Sequence, residues 1–326
     1  MKSVSRVINR EPNVSEKLRS KVQRAIDALG YVPDLAARSL AGTRAFLIGI
    51  LIDNPLTDNP NPDYFMRVQN GAYQACRERG YHLVIQNLNS GCETVTDVLH
   101  SILKNERVDG FLLTPPITER AAVMDLLEAR RIPYVRVAPV SFPGRSPAVV
   151  TDDAQAAGEL AHHFWNLGHR RIAIVNGHAD HGAARTRRQG FLSALAALGC
   201  GDVSEAYGGF QFAVGIEAGK RLLALPERPT AIFAANDDSA AGVMSAIAQA
   251  GLKIPDDISV AGFDDAWIAK SVWPYLTTVH QPITEMAHTA ATMLIERNGS
   301  AERNPVVKLD YALVVRDSTA PPADVR

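Results

Sequence analysis

Residues 229–242 read PTAIFAANDDSAAG. Residues 230–235 form a short run that is apolar on both faces, as expected of a parallel strand covered on two sides. Asn236, Asp237 and Asp238 follow at once, and a helical stretch then spans 239–250. The same unit recurs outward from this point. Comparable runs lie at 46–52, 82–86, 110–114, 134–137, 148–151, 171–176 and 258–263, with helical stretches at 64–79, 153–167, 184–198 and 283–297. Strict alternation of strand and helix implies a doubly wound, parallel α/β fold. There are more runs than one compact sheet of this kind usually holds, so two lobes of about 100–150 residues each are expected.

Ligands of such sheets bind outside the C-terminal ends of the strands. The informative residues should therefore follow directly on the runs, as Asp53, Asn236, Asp237 and Asp264 do. Asp and Asn also favour turns for local reasons. Asp237 has a second reading, as a cap of the helix that starts near Ser239.

Composition is that of a globular protein: 326 residues, 46% hydrophobic and 21% charged, with a formal net charge of -1. The charge is uneven. Residues 1–45 hold nine Lys/Arg against four acids, a surplus of five positive charges on an otherwise acidic chain. A basic head on an acidic body suggests a polyanion-binding appendage; a solvated helical face fits the charge equally well. The cysteines, Cys76, Cys92 and Cys200, are odd in number and far apart, so no disulfide framework is expected and a cytoplasmic location is. No apolar run reaches the roughly 18 residues of a membrane span, and MKSVSRVINREPNVSE has no signal-peptide core.

The head reads differently from the body. Val4, Val7 and Ile8 share one helical face; Leu18, Val22, Ile26 and Leu29 form a longer stripe, with Gly30 a natural stop. Pro33 opens PDLAARSLAG, which is too short to be stable as a free helix.

VSRVIN (4–9), KVQRAIDALGYVPDLAARSLAG (21–42), LGHRRIAIVNG (167–177), ARTRRQGF (184–191), residues 229–242, DISVAGFDD (257–265) and YLTTVHQP (275–282) together resemble the lactose/galactose repressor family, over nearly the whole chain. The resemblance implies a transcriptional regulator, a repressor, whose operator binding answers to a small sugar or sugar-derived effector. It implies two periplasmic-binding-protein-like lobes behind a small helix-turn-helix headpiece and a hinge helix. The implied boundaries are headpiece 1–32, hinge and linker 33–45, one lobe from 46–150 plus 281–304, and the other from 151–280 plus 305–322. The lobes would be joined by crossovers near residues 150, 280 and 305. Ser5, Arg6 and Asn9 would face base edges in the major groove. Ala37 and Leu40 would lie on the hinge helix, Leu40 as the wedge that kinks the minor groove. Partners would be operator DNA and a second copy of the chain in a homodimer, with a tetramer as the larger alternative. The family carries about one more helix and turn before VSRVIN, whereas only three residues precede it here. The headpiece therefore reads as truncated, and weak operator binding by this polypeptide is expected.

Sugar recognition needs planar hydrogen-bonding groups and an aromatic face. The positions matching the family's effector contacts are Asp53, Arg187, Asn236, Asp237, Asp264 and Gln281, with Tyr64, Phe65 and Trp267 as stacking candidates. Two departures touch the pocket: Arg136 inside the apolar run YVRV, and Ala138 where the family often has an acid. The proline-rich stretch 54–63 would form part of the rim. Five of the nine histidines lie between His162 and His181. Without HExxH or paired Cys/His spacing they do not suggest a metal, although His178 or His181, after a strand, would be placed to touch a ligand. No P-loop, GxGxxG or GxSxG element is present and Asp152-Asp153 makes a poor acid–base pair, so neither catalysis nor a cofactor is expected. The rival reading is a soluble or periplasmic-type sugar-binding protein without DNA function.

Overall fold

The computed structural model describes residues 4, 6–7, 14–29, 44–53, 62–88, 94–105, 107–297 and 304–323. They fall into two units, Met1–Phe46 and Leu47–Arg326. In the first, helix α1 (Glu16–Leu29) carries Glu16 in its first turn, where a carboxylate suits the helix dipole. Val7 and Val22 are buried. The expected stripe is only partly inside: Leu18 and Leu29 are exposed, as is Val4. Arg6 is helical and exposed, whereas Ser5, Asn9, Ala37 and Leu40 lie outside the described residues.

The second unit holds the alternating pattern. Strand β1 (Leu47–Ile52, LIGILI) buries its whole middle. Helix α2 (Pro62–Glu78), β2 (His82–Asn87), α3 (Val95–Asn105), β3 (Gly110–Leu113), α4 (Ala121–Ala129), β4 (Tyr134–Val137) and β5 (Ala148–Val150) follow. Then come α5 (Asp153–Asn166), β6 (Ile172–Asn176), α6 (Gly182–Ala197), β7 (Ser204–Tyr207), α7 (Phe212–Leu223), β8 (Ala231–Ala234), α8 (Asp237–Gln249) and β9 (Ser259–Ala261). The chain ends with β10 (Thr278–His280), α9 (Ile283–Glu296), β11 (Val306–Lys308) and β12 (Ala312–Val314). One parallel sheet has the order β11-β5-β4-β3-β1-β2, and a second the order β7-β6-β8-β9. The antiparallel pair β10-β12 continues from the β9 edge through bridges Ala261–Thr277 and Asp264–His280. These are doubly wound sheets, each covered by packed helix pairs.

Two features differ from expectation. Strand β11 (Val306–Lys308) pairs with β5 in the register Val306–Ala148, so the third crossover falls after Lys308 rather than near 305. Strand β11 is the terminal strand of that sheet. The runs also omitted the three-residue strands β10, β11 and β12 and the strand β7, whose SEAY sequence alternates between half-buried and exposed. A strand open to solvent on one face, as β7 is, shows period-two alternation, not the apolar run of a strand buried on both faces.

The core of the second sheet sets the position of the site. Phe164, Phe191, Phe233 and Phe263 are fully buried, and successive rings lie 4.8–6.4 Å apart, inside the range of favourable aromatic pairs. A Cβ on Gly190 would meet the Ala154 carbonyl oxygen at 2.1 Å. Only glycine lets α5 and α6 approach this closely, and that approach brings Arg187 against Asp153.

Candidate ligand-binding site

The strand ends of both sheets open on one cleft of about 1080 Å³. Asp53 follows β1, Pro115 and Pro116 follow β3, Ala138 follows β4 and Thr151 follows β5; from the second sheet come His178, Tyr207 and Asp264.

The floor is built around Arg187, whose side chain is 7% exposed. Its Nε donates to Asp153 Oδ2 at 2.9 Å, Nη1 to the Ala235 carbonyl at 2.7 Å and Nη2 to Gln281 Oε1 at 3.1 Å. Asp264 Oδ1 stands 3.2 Å from Nη2, and the Phe263 ring lies 3.9 Å beneath the guanidinium. Gln281 Nε2 donates in turn to Asp153 Oδ1 (2.7 Å) and Thr151 Oγ1 (3.0 Å). Burial alone would lower the Arg187 pKa, but Asp264 and Asp153 more than offset it, and the guanidinium stays charged. The result is a preorganised set of planar donors and acceptors whose rotamers are fixed on every edge.

Asp264 and Asp265 have φ of 108° and 49°. Residues other than glycine adopt this region at a cost, so the surroundings must hold it. Arg67 on α2 does so from the other lobe: it donates to the Asp264 carbonyl at 3.0 Å and to the Asp265 carbonyl, while its Nε pairs with Asp63 at 2.7 Å. The strained turn that aims Asp264 at Arg187 is thus also a contact between the lobes.

Aromatic groups complete the walls. Tyr64 and Phe65 meet edge to face at 5.6 Å, and burial, then the Asp264 charge, pushes the Tyr64 phenol pKa up. Opposite them Phe210 meets His181 at 5.0 Å and Tyr207 meets His178 at 6.0 Å. Burial, with Arg187 adding to it, lowers the His181 pKa to about 4, so its imidazole is neutral at pH 7.

Of the residues expected from the sequence, Asp53, Tyr64, Phe65, Arg187, Asp264 and Gln281 line the cleft; Asn236, Asp237 and Trp267 do not. Asn236 caps α8, accepting from the Ser239 amide at 3.0 Å, and donates to the Phe210 carbonyl at 3.0 Å. It supports the aromatic wall from behind. Asp237 turns inward, accepting from the Ala266 amide (2.7 Å) and the Thr278 hydroxyl (2.6 Å). Gly262 must be glycine beside it, since a Cβ there would lie 2.2 Å from its carboxylate. Trp267 is 64% exposed on a short 3-10 turn. Arg136 is buried below the rim, donating to the Ser146 hydroxyl and the carbonyls of Ser141 and Phe142. His178 and His181 both line the cleft, as does Ala138. Most of the 54–63 stretch lies outside the described residues.

The sequence reading missed Asp153, Thr151, Tyr207 and Phe210. Tyr207 ends the overlooked strand β7 and Phe210 follows it, and the glycine pair after Tyr207, whose amides reach the Asn176 carbonyl, was the available signal. Among the described residues no group of three His, Cys, Asp or Glu could hold a metal ion, and no helix is long and apolar enough to cross a membrane.

Comparison with known proteins matches residues 1–34 to bacterial regulatory proteins of the lacI family and residues 161–319 to the periplasmic binding protein-like domain. The chain is 37% identical to the ribose operon repressor of Escherichia coli, over 90% of this chain and 88% of that one. It is 35% identical to the transcriptional repressor PurR of Photobacterium profundum, over 97% and 94%. Among solved structures it resembles the lac repressor dimer bound to operator and an anti-inducer (TM-score 0.80, 27% identity, 98% and 95% covered). It also resembles a LacI family regulator from Enterococcus faecium with bound ribose (TM-score 0.74, 27% identity, 84% and 99% covered). The body is therefore a pair of periplasmic-binding-protein-like α/β lobes, and the chain belongs to the lacI family of bacterial regulatory proteins.

Proposed function

We propose that this chain is a DNA-binding transcriptional repressor whose operator affinity is set by a sugar or sugar-derived molecule held in the cleft. The observation that carries this reading is the buried Arg187–Asp153–Gln281–Asp264 array facing an aromatic wall. Vicinal hydroxyls both donate and accept, and such an array offers both partners at fixed positions. Its two carboxylates are engaged with Arg187, so the proposed action is binding alone. Because both lobes line the cleft and Arg67 ties α2 to the Asp264 turn, a bound ligand changes the relation between the lobes. Physically this is a population shift, limited by the ligand's differential affinity for the two arrangements. Residues 33–41 are the proposed reader of that change, and Ser5, Arg6, Asn9, Ala37 and Leu40 the proposed DNA contacts. The working unit is proposed to be a cytoplasmic homodimer, because two headpieces must read two half-sites.

A thermal-shift screen of sugars, sugar phosphates, nucleosides and purine bases tests the reading. A ligand at about 100 times its Kd adds roughly 2.7 kcal/mol of stability. The expected result is a hit among the sugars that Arg187→Ala abolishes. A hit confined to purine bases, or one that survives Arg187→Ala, overturns the assignment.

A further inference from the structure

Resting on the reading of the cleft as a sugar site, we propose that it selects uncharged sugars over phosphorylated or acidic ones, and that Glu119 enforces the selection. Among the described residues that line the cleft, six are acids: Asp53, Glu119, Asp152, Asp153, Asp180 and Asp264. The Lys and Arg among them are Arg120, Arg187 and Lys308, and His178 and His181 also line the cleft, His178 beside Asp180 at 3.8 Å. Each Lys and Arg already has a carboxylate. Arg120 pairs with Asp53, Lys308 with Asp152 at 2.8 Å, and Arg187 with both Asp153 and Asp264. An anionic ligand would have to displace one of these carboxylates and would leave it facing the newcomer. The buried His181 supplies no charge, because its imidazole is neutral at pH 7.

The remaining place for an anion is the start of α6, a sixteen-residue helix that begins at the cleft with no side-chain cap. Phosphate is commonly held at such a helix N-terminus. Here Glu119 stands over it: its carboxyl carbon lies 3.4 Å from where a Cβ on Gly182 would be. The carboxylate is fixed by the amides of Val140 (2.8 Å) and Ser141 (2.9 Å), and the Val140 side chain closes on the same Gly182 position at 3.0 Å. The protein's own carboxylate thus stands beside the start of this helix. A neutral polyol meets a cleft in which every Lys and Arg already has a carboxylate; a phosphate or uronate meets a surplus of like charge.

The test is calorimetric titration of the full chain with matched probes: ribose against ribose 5-phosphate, and glucose against glucose 6-phosphate and glucuronate. For a pair that binds, the neutral member is expected to be tighter by about tenfold or more, the scale of one like-charge contact near a protein surface. Glu119→Gln narrows that ratio several-fold, while Glu119→Asp, which keeps the charge, leaves it high. An anionic probe that binds as tightly as its neutral parent overturns the proposal. So does a Glu119→Asp ratio that narrows as far as that of Glu119→Gln, because loop geometry would then set the preference. Anion binding that is lost in Arg187→Ala removes the charge selection and leaves the sugar site standing. Neutral-sugar binding that survives Arg187→Ala removes the site reading itself.

Discussion

Asp237 and Asp264 stand at the C-terminal ends of the paired strands β8 and β9, and both are buried. Asp237 accepts from neutral donors, the Thr278 hydroxyl and the Ala266 amide. Burial, followed by the nearby Asp264 charge, raises its pKa well above the usual carboxylate value. Asp264 faces the Arg187 guanidinium at 3.2 Å and lines the cleft. Burial at a strand end therefore does not by itself mark a recognition group. A buried acid with neutral partners ties a turn to its neighbours, whereas one paired with a cation at an open cavity presents a charged, oriented acceptor to whatever enters.

That contrast breaks most visibly at Asp264. Asp264→Ala is expected to weaken the ligand's affinity by roughly 100-fold, within the 2–5 kcal/mol typical of truncating one partner of a buried charge pair. Calorimetric titration reads it, and an unchanged Kd would place recognition elsewhere in the cleft. Asp237→Ala should do the opposite. It strands two buried donors and lowers unfolding stability by about 2–3 kcal/mol, with the affinity of the folded protein within about twofold of wild type. Urea unfolding beside the same titration separates the two effects; a large loss of affinity would return Asp237 to the site.

The smallest effect sharpens the comparison at Asp238, the acid next to Asp237. Burial, then the charges of Asp264 and Asp63, pushes its pKa up to about 6. Between its ordinary value near 3.8 and about 6, the folded chain holds a proton that the unfolded chain has lost. Stability contributed here is present at low pH and falls as pH rises through that window. Asp238→Asn should remove the downward slope and gain on the order of 1 kcal/mol at pH 7 once solvent screening is allowed for. Urea midpoints across pH 4.5–7 check this, with the window taken from that shift; parallel curves for the two proteins would contradict it.

The fold was legible where strands are covered on both faces. Runs such as 46–52 and 230–235 have one composition and one role, so an apolar run bounded by a turn suffices to find them. It was illegible at β7, where an edge strand half open to solvent shows no such run, and its oversight hid Tyr207 and Phe210. Val306–Lys308 was assigned to the wrong lobe because a three-residue edge strand takes its membership from the neighbour it pairs with, here β5.

By itself the sequence determined which residue types stand at the strand ends and, through the family resemblance, that Arg187 was a candidate contact. Only the tertiary structure decided which way each strand-end acid turns. Asp237 is claimed by Thr278 and Ala266, distant in sequence, while a left-handed backbone held by Arg67 from the other lobe swings Asp264 toward Arg187. Periodicity reports which face of an element is buried, because burial acts on every second or fourth residue alike. The direction of one carboxylate depends on which partners the folded chain brings within about 3 Å, and no local pattern encodes that.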